Sequence, residues 1–196
     1  MRKNVLISGG SGFIGKNLSR LLIEKGFRVS ILSRSAKQNT ADISYYKWDV
    51  PNRILDENAI LDADYIVHLA GENIGDKRWT AKRKSAIIDS REQSVKLIYS
   101  ALENNNKKLD AFVSASGIGI YGAVNGVEIC TEDSPPANDF LGDTCQKWEA
   151  AADTIAALQI RTVKIRTGLV LGKEGGFLEK LVPIFKLGLG AALGSG

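Results

Sequence analysis

Residues near the start of the chain have types and a spacing suited to holding phosphate groups. The segment Gly9-Gly10-Ser11-Gly12-Phe13-Ile14-Gly15 directly follows the short apolar run Val5-Leu6-Ile7. There, Gly9 would allow a sharp turn, Gly12 would let the backbone approach a pyrophosphate, and Gly15 would let a following helix pack closely on the strand. The start of that helix would offer unpaired N–H groups to phosphate oxygens. All seven residues of the segment are therefore predicted to form a dinucleotide-binding loop.

The end of the second apolar run, Val29 to Leu32, indicates which dinucleotide would bind. NAD enzymes usually carry Asp or Glu there to bind the adenosine ribose hydroxyls, whereas this chain has Ser33 and Arg34. A guanidinium matches the 2′-phosphate of NADP in a bidentate pair; the alternative is an ordinary surface arginine. We therefore expect NADP(H) in preference to NAD(H). Asp49, where a third strand would end, is expected to meet the adenine amino group or to be a solvated loop acid.

The elements that must position these residues alternate between short apolar runs and helical patterns, which is typical of a parallel sheet flanked by helices. The predicted strands are Val5–Ile7, Val29–Leu32, Tyr65–Leu69, Ala111–Ser114 and Thr162–Ile165. The predicted helices span residues 16–25, 80–104, about 142–158 and 177–190. The pattern predicts an α/β fold, a doubly wound Rossmann-type parallel sheet with helices on both faces.

Composition limits the class of protein. The 196 residues are 44% hydrophobic and 24% charged, which suits one globular domain. Cys130 and Cys145 have no partner at metal-ligand spacing and are expected to be free thiols, so no metal site is predicted. Neither a signal peptide nor a membrane span is recognisable, which favours the cytoplasm. The net charge of +4 forms no basic stripe that would indicate nucleic-acid binding.

The predicted C-terminal helix, residues 177–190, has an unusually apolar face with Phe177, Leu181, Ile184 and Phe185. Such a face needs a partner. It could pack internally, against sequence absent from this chain, in a homodimer contact, or on a membrane surface.

Several ordered motifs resemble the extended short-chain dehydrogenase/reductase superfamily, and in particular its "epimerase family" branch, whose members are labelled SulA-like or nucleoside-diphosphate-sugar epimerase-like. The glycine loop and His68-Leu69-Ala70-Gly71 carry the resemblance to the superfamily. The motifs that resemble the branch are Gly71-Glu72-Asn73-Ile74, Arg78-Trp79, Ser90-Arg91, Ser114-Ala115-Ser116, Tyr121-Gly122, Glu132 to Pro136, and Arg166 to Gly172.

The resemblance implies further parts of the cofactor site. Ser33 and Arg34 would join the glycine loop, and Leu69 and Ala70 would lie beside the adenosine and ribose. Gly71 would also bind the cofactor, and Arg91 would reach a phosphate or ribose. The alternative for Arg91 is a solvated arginine on its helix, and His68 is expected to be structural rather than catalytic. The resemblance also implies a dinucleotide-binding domain over residues 1–172, with residues 173–196 as the start of an incomplete substrate-binding segment packed on it.

Enzymes of the superfamily pair Ser or Thr with Tyr-x-x-x-Lys, in which the lysine lowers the pKa of the tyrosine for proton exchange with substrate. In this chain Cys145 and Glu149 occupy the tyrosine and lysine positions. A carboxylate would raise the pKa of the Cys145 thiol and disfavour the thiolate. Ser116 is the predicted hydrogen-bonding group for substrate or nicotinamide. Tyr121 is the predicted substitute acid/base, or else simply packs under its loop.

Three functions are compatible with these residues. The first is an oxidoreductase or epimerase with rearranged acid/base residues, acting on a small or nucleotide-sugar-like substrate. The second is an NADP-binding regulatory or partner-binding protein that lacks the catalytic pair. The third, in which the glycine loop stays empty in a structural interaction domain, is disfavoured because an intact phosphate loop together with Arg34 has little structural use.

Overall fold

The computed structural model describes residues 2–35, 37–123, 129–172 and 175–191. The strands are β1 (Asn4–Ser8), β2 (Arg28–Ser33), β3 (Ile43–Asp49), β4 (Ile54–Leu55), β5 (Tyr65–His68), β6 (Ala111–Gly117), β7 (Thr162–Thr167), β8 (Leu171–Gly172) and β9 (Gly175–Gly176). The helices are α1 (Phe13–Glu24), α2 (Glu57–Leu61), α3 (Ala81–Asn104), α4 (Phe140–Ala156) and α5 (Phe177–Lys186).

Seven strands form one sheet in the order β4-β3-β2-β1-β5-β6-β7, and all neighbouring pairs are parallel except β3 with the edge strand β4. The chain runs outward from β1 in one direction through β2 and β3, and then in the other direction from β5 to β7. The carboxyl ends of β1 and β5 therefore flank the topological switch point, where ligands bind in open α/β sheets. This arrangement confirms the predicted doubly wound Rossmann-type fold.

The connections between parallel strands on the two sides of β1 place helices on both faces of the sheet. In β1, Val5 and Ile7 point to the face covered by α1, whereas Leu6 points to the opposite face and packs with residues of α2, α3 and α4. Because successive strand residues face opposite sides, a short apolar run such as Val5–Ile7 in β1 indicates burial on both faces. All five residues of β1 are buried.

Several boundaries differ from the sequence-based expectations. Strands β6 and β7 continue to Gly117 and Thr167, because they pair with each other beyond the apolar residues that marked them. Helix α4 begins earlier than predicted, at Phe140, since the Asp139 carboxylate accepts a hydrogen bond from the Gly142 N–H at 2.7 Å and caps it. The short elements β4 and α2 were not predicted, as neither is long enough to show a period.

Helix α5 also ends earlier than predicted, at Lys186, and Gly188 then adopts a positive φ of 71°. Its apolar face is largely open within the described part of the chain, with Phe185 59% exposed. The first turn of α5 is joined to the segment before β8 by a 3.0 Å bond from the Phe177 N–H to the Val170 carbonyl. No helix among the described residues combines the length and apolar character needed to cross a membrane.

Candidate functional site

The glycine loop makes a tight turn between β1 and α1. Gly9 has a φ of 74°, which favours glycine, and its carbonyl accepts a 3.0 Å hydrogen bond from the Gly12 N–H. A Cβ added to Gly15 would lie 2.5 Å from the Gly9 carbonyl oxygen, whereas one added to Gly12 would meet the same oxygen at 3.3 Å. The strand–helix junction is thus closed at Gly15, while Gly12 is exposed on the open side of the turn.

The start of α1 offers backbone N–H donors that no side chain in the described part of the structure caps. Gly12 is the N-terminal cap residue and supplies no side-chain hydrogen bond, and the first turn contains no acidic residue. The first N–H groups of a helix have no intrahelical acceptor and carry the positive end of its dipole. This geometry can hold the phosphate oxygens of a dinucleotide.

The remaining residues of the predicted loop have separate surroundings. Ser11 is exposed, Ile14 is 42% exposed, and Gly10 packs on the Ile31 side chain of β2. The ring of Phe13 lies against the backbone of Gly172 and Gly175 in the β8–β9 hairpin. The structure therefore brings the hairpin after β7 next to the glycine loop.

The opposite wall of the switch point is the segment after β5, which packs directly on the glycine loop. A Cβ on Gly9 would lie 2.9 Å from the Leu69 carbonyl carbon. The Leu69 N–H donates to the Ser8 carbonyl at 3.0 Å, and the Ala70 N–H donates to Ser8 Oγ at 3.3 Å. Leu69 and Ala70 are half-buried, and Gly71 is exposed.

His68 is fully buried between these two segments and helix α3. Its Nδ1 lies 2.7 Å from Ser8 Oγ, and its Nε2 lies 3.0 Å from Ser94 Oγ. Because the Ser94 hydroxyl already donates to the Arg91 carbonyl at 2.8 Å, Ser94 accepts from Nε2–H, and the Ser8 hydroxyl donates to Nδ1. Burial, with a smaller contribution from the charge of Arg91, lowers the pKa of His68 to about 3.

At the carboxyl end of β2, Ser33 and Arg34 have different surroundings. The Ser33 hydroxyl donates to the Ser35 carbonyl at 2.9 Å, and Arg34 is exposed. Asp49 ends β3, as expected, and its carboxylate accepts hydrogen bonds from the Asn52 side chain at 2.9 Å and the Asn52 N–H at 3.3 Å. These bonds, led by the side-chain one, lower the pKa of Asp49.

Arg91 is buried in the structure, with 6% of its surface exposed. Its guanidinium donates to the carbonyls of Ile87 at 2.8 Å and Glu72 at 3.2 Å, and lies 4.7 Å from the Trp148 ring centroid. It also lies about 3.1 Å from where a Gly71 Cβ would be. Arg91 thus adjoins the segment after β5, and its Nε has no hydrogen-bond partner among the described residues.

A polar cluster lies where β6, β7 and α4 meet. Glu149 of α4 accepts hydrogen bonds from Ser116 Oγ at 2.6 Å and from Arg166 Nε and Nη2 at 2.8 and 2.9 Å. The two-point ion pair is the main cause that lowers the pKa of Glu149, and the Ser116 hydroxyl adds to it. Ser116 and Glu149 are both buried.

Tyr121 belongs to the same cluster. Arg166 Nη1 donates to the Tyr121 hydroxyl at 2.9 Å and to the Glu132 carbonyl at 3.0 Å, and its guanidinium carbon lies 5.3 Å from the Tyr121 ring centroid. Tyr121 ends the 3₁₀ turn Ile118–Tyr121 that follows β6. The structure therefore brings the two predicted catalytic side chains, Ser116 and Tyr121, into one network through Glu149 and Arg166.

Cys145 lies one turn before Glu149 and is buried. Burial is the main cause that raises the pKa of the thiol. A hydrogen bond with the Gly117 backbone and the charge of Arg91 oppose that rise, and the charge of Glu149 adds to it. The sequence-based explanation named only the Glu149 charge, which is a smaller cause than burial.

Sequence reasoning missed Arg166 as a member of the site. The residue opens the motif Arg166-Thr167-Gly168, but nothing in its spacing links it to Glu149. The register of β7 beside β6, which pairs Arg166 with Ser116, makes the contact possible. Among the described residues, no group of three or more His, Cys, Asp or Glu side chains could hold a metal ion.

Residues 5–185 match the NAD dependent epimerase/dehydratase family. The chain is 33% identical over 195 residues to epimerase family protein YfhF of Bacillus subtilis, and this match covers 98% of the chain and 63% of the relative. Human epimerase family protein SDR39U1 is 35% identical over 195 residues, with the same coverages of 98% and 63%.

Solved structures show the same similarity. A crystal structure of human SDR39U1 (isoform 2) with NADPH has a TM-score of 0.80 at 33% identity, covering 98% of this chain and 63% of that one. The nucleoside-diphosphate sugar epimerase of Corynebacterium glutamicum has a TM-score of 0.81 at 31% identity, covering 100% of this chain and 39% of that one.

The chain thus spans about 61 to 64% of the length of its curated relatives. The matches nevertheless extend over nearly all of the described fold, including the glycine loop and the cluster around Arg166. They confirm the resemblance to the extended short-chain dehydrogenase/reductase superfamily and its epimerase branch. On this evidence the chain is a member of the NAD dependent epimerase/dehydratase family.

Proposed function

We propose that the chain binds NADP(H) at the switch point of its sheet. The single observation that carries this proposal is the glycine loop, in which Gly15 closes the strand–helix junction and the N–H groups in the first turn of α1, which no side chain caps, are left for a pyrophosphate. Gly9, Gly10, Ser11, Phe13 and Ile14 complete the loop. The residues present fit a dinucleotide, because the turn is narrow where the backbone must pack and open where phosphate must enter.

The preference for NADP(H) over NAD(H) rests on the end of β2. No acidic side chain stands at Ser33 or Arg34 to bind ribose hydroxyls, and the exposed guanidinium of Arg34 can meet a 2′-phosphate. Leu69, Ala70 and Gly71 would line the adenosine and ribose from the other side, with Arg91 behind Gly71. The NADPH in the crystal structure of human SDR39U1 supports this choice.

We further propose that the chemistry is that of an oxidoreductase or epimerase acting on a small or nucleotide-sugar-like substrate. A bound nicotinamide would supply hydride exchange with a substrate carbon. Tyr121 would exchange a proton with the substrate hydroxyl, oriented by the 2.9 Å hydrogen bond from Arg166. Ser116 would hydrogen-bond the substrate or the nicotinamide, with its side chain positioned by Glu149.

A second candidate function is an NADP-binding regulatory or partner-binding protein. The observation that favours it is the two-point ion pair between Glu149 and Arg166, since it places a paired carboxylate where the superfamily has a free lysine. A carboxylate with a lowered pKa neither donates a proton at neutral pH nor supplies positive charge. Under this function Cys145 and Glu149 would be structural only.

The domain organisation is also a proposal. Residues 1–172 would form the dinucleotide-binding domain, and residues 173–196 would begin a substrate-binding segment packed on it. The contact of Phe13 with Gly172 and Gly175 supports the packing. The substrate itself would be gripped partly by sequence of the kind that the longer relatives carry outside the matched region.

A titration with NADPH and NADH, followed by nicotinamide fluorescence, tests cofactor binding. We expect tight NADPH and weaker NADH binding in the wild-type chain. Gly12→Ala should abolish binding of both while far-UV circular dichroism stays unchanged, because φ at Gly12 is −74° and its added Cβ meets only the Gly9 oxygen. If wild type binds the cofactor and the Gly12→Ala variant binds it equally well, the proposed site is wrong.

Turnover distinguishes the two candidate functions. The substitution Tyr121→Phe applies if the chain, or a version extended to the length of its relatives, oxidises or epimerises a substrate. It should then lower kcat at least 100-fold, which is the contribution of a positioned acid or base. The affinity for NADPH should stay unchanged. Cys145→Ser should change turnover little. Unchanged turnover in Tyr121→Phe would remove Tyr121 from the mechanism, and binding of NADPH without turnover of any substrate would favour the regulatory function.

A further inference from the structure

The start of helix α3 and the segment before it carry most of the chain's excess positive charge. Residues 72–84 contain two acids, Glu72 and Asp76, and five cations, which are Lys77, Arg78, Lys82, Arg83 and Lys84. This short segment therefore accounts for a net charge of +3 out of the +4 of the whole chain. In the rest of the chain the two signs of charge nearly balance.

Two aromatic side chains lie among these charges. The ring centroids of Trp79 and Phe140 are 5.0 Å apart, with an interplanar angle of 62°. Lys84 Nζ lies 4.9 Å from the Phe140 ring centroid, and Trp79 Nε1 donates a 2.8 Å hydrogen bond to the Ile74 carbonyl. The aromatic pair thus joins the start of α3 to the start of α4. We call the following residues the basic–aromatic patch: Lys77, Arg78, Trp79, Lys82, Lys84 and Phe140.

The charge of the patch is directed to solvent. Lys77, Arg78 and Lys82 are exposed, and none of the three forms an ion pair within the described part of the chain. The acid Glu72 is already paired with Arg83, which lies outside the patch. Several unpaired positive charges close together repel one another and attract an anionic partner.

The same charges are unfavourable for helix α3 itself. Its first turn contains no acidic residue and instead holds Lys82, Arg83 and Lys84. The positive end of the helix dipole lies there, so acids would stabilise the helix and cations destabilise it. The turn is nevertheless well formed, because the Thr80 hydroxyl caps it by accepting a 3.2 Å bond from the Arg83 N–H. Such a conflict between local stability and residue choice is typical of a functional surface.

We infer that the basic–aromatic patch is a docking surface for an acidic segment of a partner protein, with Trp79 as its anchor. Trp and Arg are among the residue types most enriched at the centres of protein–protein interfaces, and Arg78 and Trp79 are adjacent here. Lys77, Lys82 and Lys84 would attract the partner's carboxylates and orient the incoming segment. This inference goes beyond cofactor binding and does not depend on it.

Other classes of ligand fit the patch less well. Small-molecule sites are concave and bury most of their ligand, whereas residues 77–80 are consecutive exposed positions. A segment that lies on a membrane needs a broad apolar face, but Trp79 is the only large apolar side chain that is exposed in the described residues 72–84. The patch therefore suits a short acidic segment that covers one aromatic anchor.

Binding of a labelled peptide of alternating Glu and Leu residues, followed by fluorescence anisotropy, tests this inference. We expect wild type to bind this peptide and not the matched peptide in which Gln replaces Glu. The triple variant Lys77→Gln, Arg78→Gln and Lys82→Gln should weaken binding about tenfold, because each exposed charge contributes modestly. Trp79→Ala should weaken binding at least about tenfold, as the loss of an interface anchor does.

The emission of Trp79 gives a second readout of where the peptide binds. Trp79 has 40% of its surface exposed, whereas Trp48 and Trp148 have 5% and 8%. Quenching of tryptophan emission by iodide should therefore come mainly from Trp79, and the bound peptide should reduce it. A peptide that binds without protecting Trp79 binds elsewhere, and that result would overturn the inference.

A second triple variant controls for the general attraction of a basic protein to an acidic peptide. Lys25→Gln, Lys96→Gln and Arg161→Gln remove the same charge from exposed positions outside the patch, and they should change the peptide affinity less than about twofold. Equal weakening by the two triple variants would overturn the inference, as would the absence of peptide binding by wild type. Tighter patch-dependent binding to phosphatidylserine vesicles or to an oligothymidylate would overturn it in favour of a membrane or a nucleic acid. Urea unfolding curves check that each variant keeps the fold.

Discussion

His68 connects both walls of the candidate site to helix α3. Its ring accepts from Ser8, which directly precedes the glycine loop, and donates to Ser94. It also stacks on Phe112, with ring centroids 6.1 Å apart. Because both nitrogens are satisfied only in the neutral form and no water reaches the ring, protonation would remove a hydrogen bond and bury a charge. Its role is to fix the glycine loop and the segment after β5 relative to each other.

The pH dependence of stability should report this residue. The pKa of His68 is about 3 in the folded state and about 6.5 in the unfolded chain. The unfolded state thus binds more protons between these values, so stability is complete above pH 6.5 and declines as pH falls. We expect the free energy of unfolding in urea to drop by about 2 kcal/mol from pH 7.5 to 5.

His68→Asn provides the control, because it removes the titration while keeping polar atoms at both positions. The drop between pH 7.5 and 5 should largely vanish in this variant. The chain has one histidine, so its imidazole signals in NMR are unambiguous and should show no titration above pH 5. A normal titration near pH 6.5 would mean that the ring is not buried as described.

Arg34 is a second residue whose role can be measured directly. Its guanidinium is exposed and has no hydrogen-bond partner among the described residues, so it can turn to a ligand. Arg34→Ala should weaken the binding of NADPH by roughly 1.5 to 3 kcal/mol, the value of a hydrogen bond to a charged group, and leave the binding of NADH nearly unchanged. Equal losses for both cofactors, measured by fluorescence titration, would remove Arg34 from the specificity argument.

At the scale of elements, Glu149 and Arg166 join α4 to β7. The side chains are 8% and 19% exposed, so removing one partner leaves a poorly solvated charge. Glu149→Leu should cost about 2 to 4 kcal/mol of unfolding free energy, whereas Glu149→Leu with Arg166→Met should recover most of it. The double variant should be more stable than the single one because most of the cost of Glu149→Leu comes from leaving the Arg166 charge unpaired, and not from the loss of attraction alone.

A surface pair in the same helix is the control for that cycle. Asp143 and Lys147 are 2.8 Å apart at positions i and i+4, with side chains about half exposed. Asp143→Asn should cost less than about 0.5 kcal/mol in the same urea experiments. Similar costs for the two pairs, or strict additivity of the Glu149 and Arg166 changes, would mean that the buried cluster is not coupled.

For the whole molecule, the two faces of the sheet are covered unequally. Helices α2, α3 and α4 enclose the larger core with Ile66, Phe112 and their neighbours, while α1 covers the smaller core around Val29 and Ile31. Helix α5 lies outside both cores, and several of its apolar residues are exposed. Its first-turn bond to Val170 attaches it to the β8–β9 hairpin rather than to the sheet.

Hydrogen exchange should reveal this difference. Amides of α5 should exchange at least 100-fold faster than those in the middle of α3, because few buried contacts oppose local opening. Pro183 within α5 also removes one backbone donor. Equal protection of the two helices would show that the apolar face of α5 is covered, as it would be in a homodimer. Protection of α5 that increases with protein concentration would then identify a second copy of the chain as the partner.

The sequence by itself determined the order of the longer strands and helices, the glycine loop and the absence of Tyr-x-x-x-Lys. These features depend on local periodicity and on residues adjacent in the chain, such as Gly9 to Gly15 after β1. For the same reason Asp49 was placed correctly at a strand end. Boundaries set by capping or pairing, as at Phe140 and Thr167, were not visible in the apolar pattern.

Only the tertiary structure decided which distant side chains meet. The register of β7 on β6 brings Arg166 to Glu149, and the pairing of β5 with β1 brings His68 to Ser8. The burial of Arg91 against Trp148 likewise depends on how α3 packs on α4. Such contacts join residues far apart in the chain, and their energies depend on solvent exclusion by the whole fold, which no local pattern encodes.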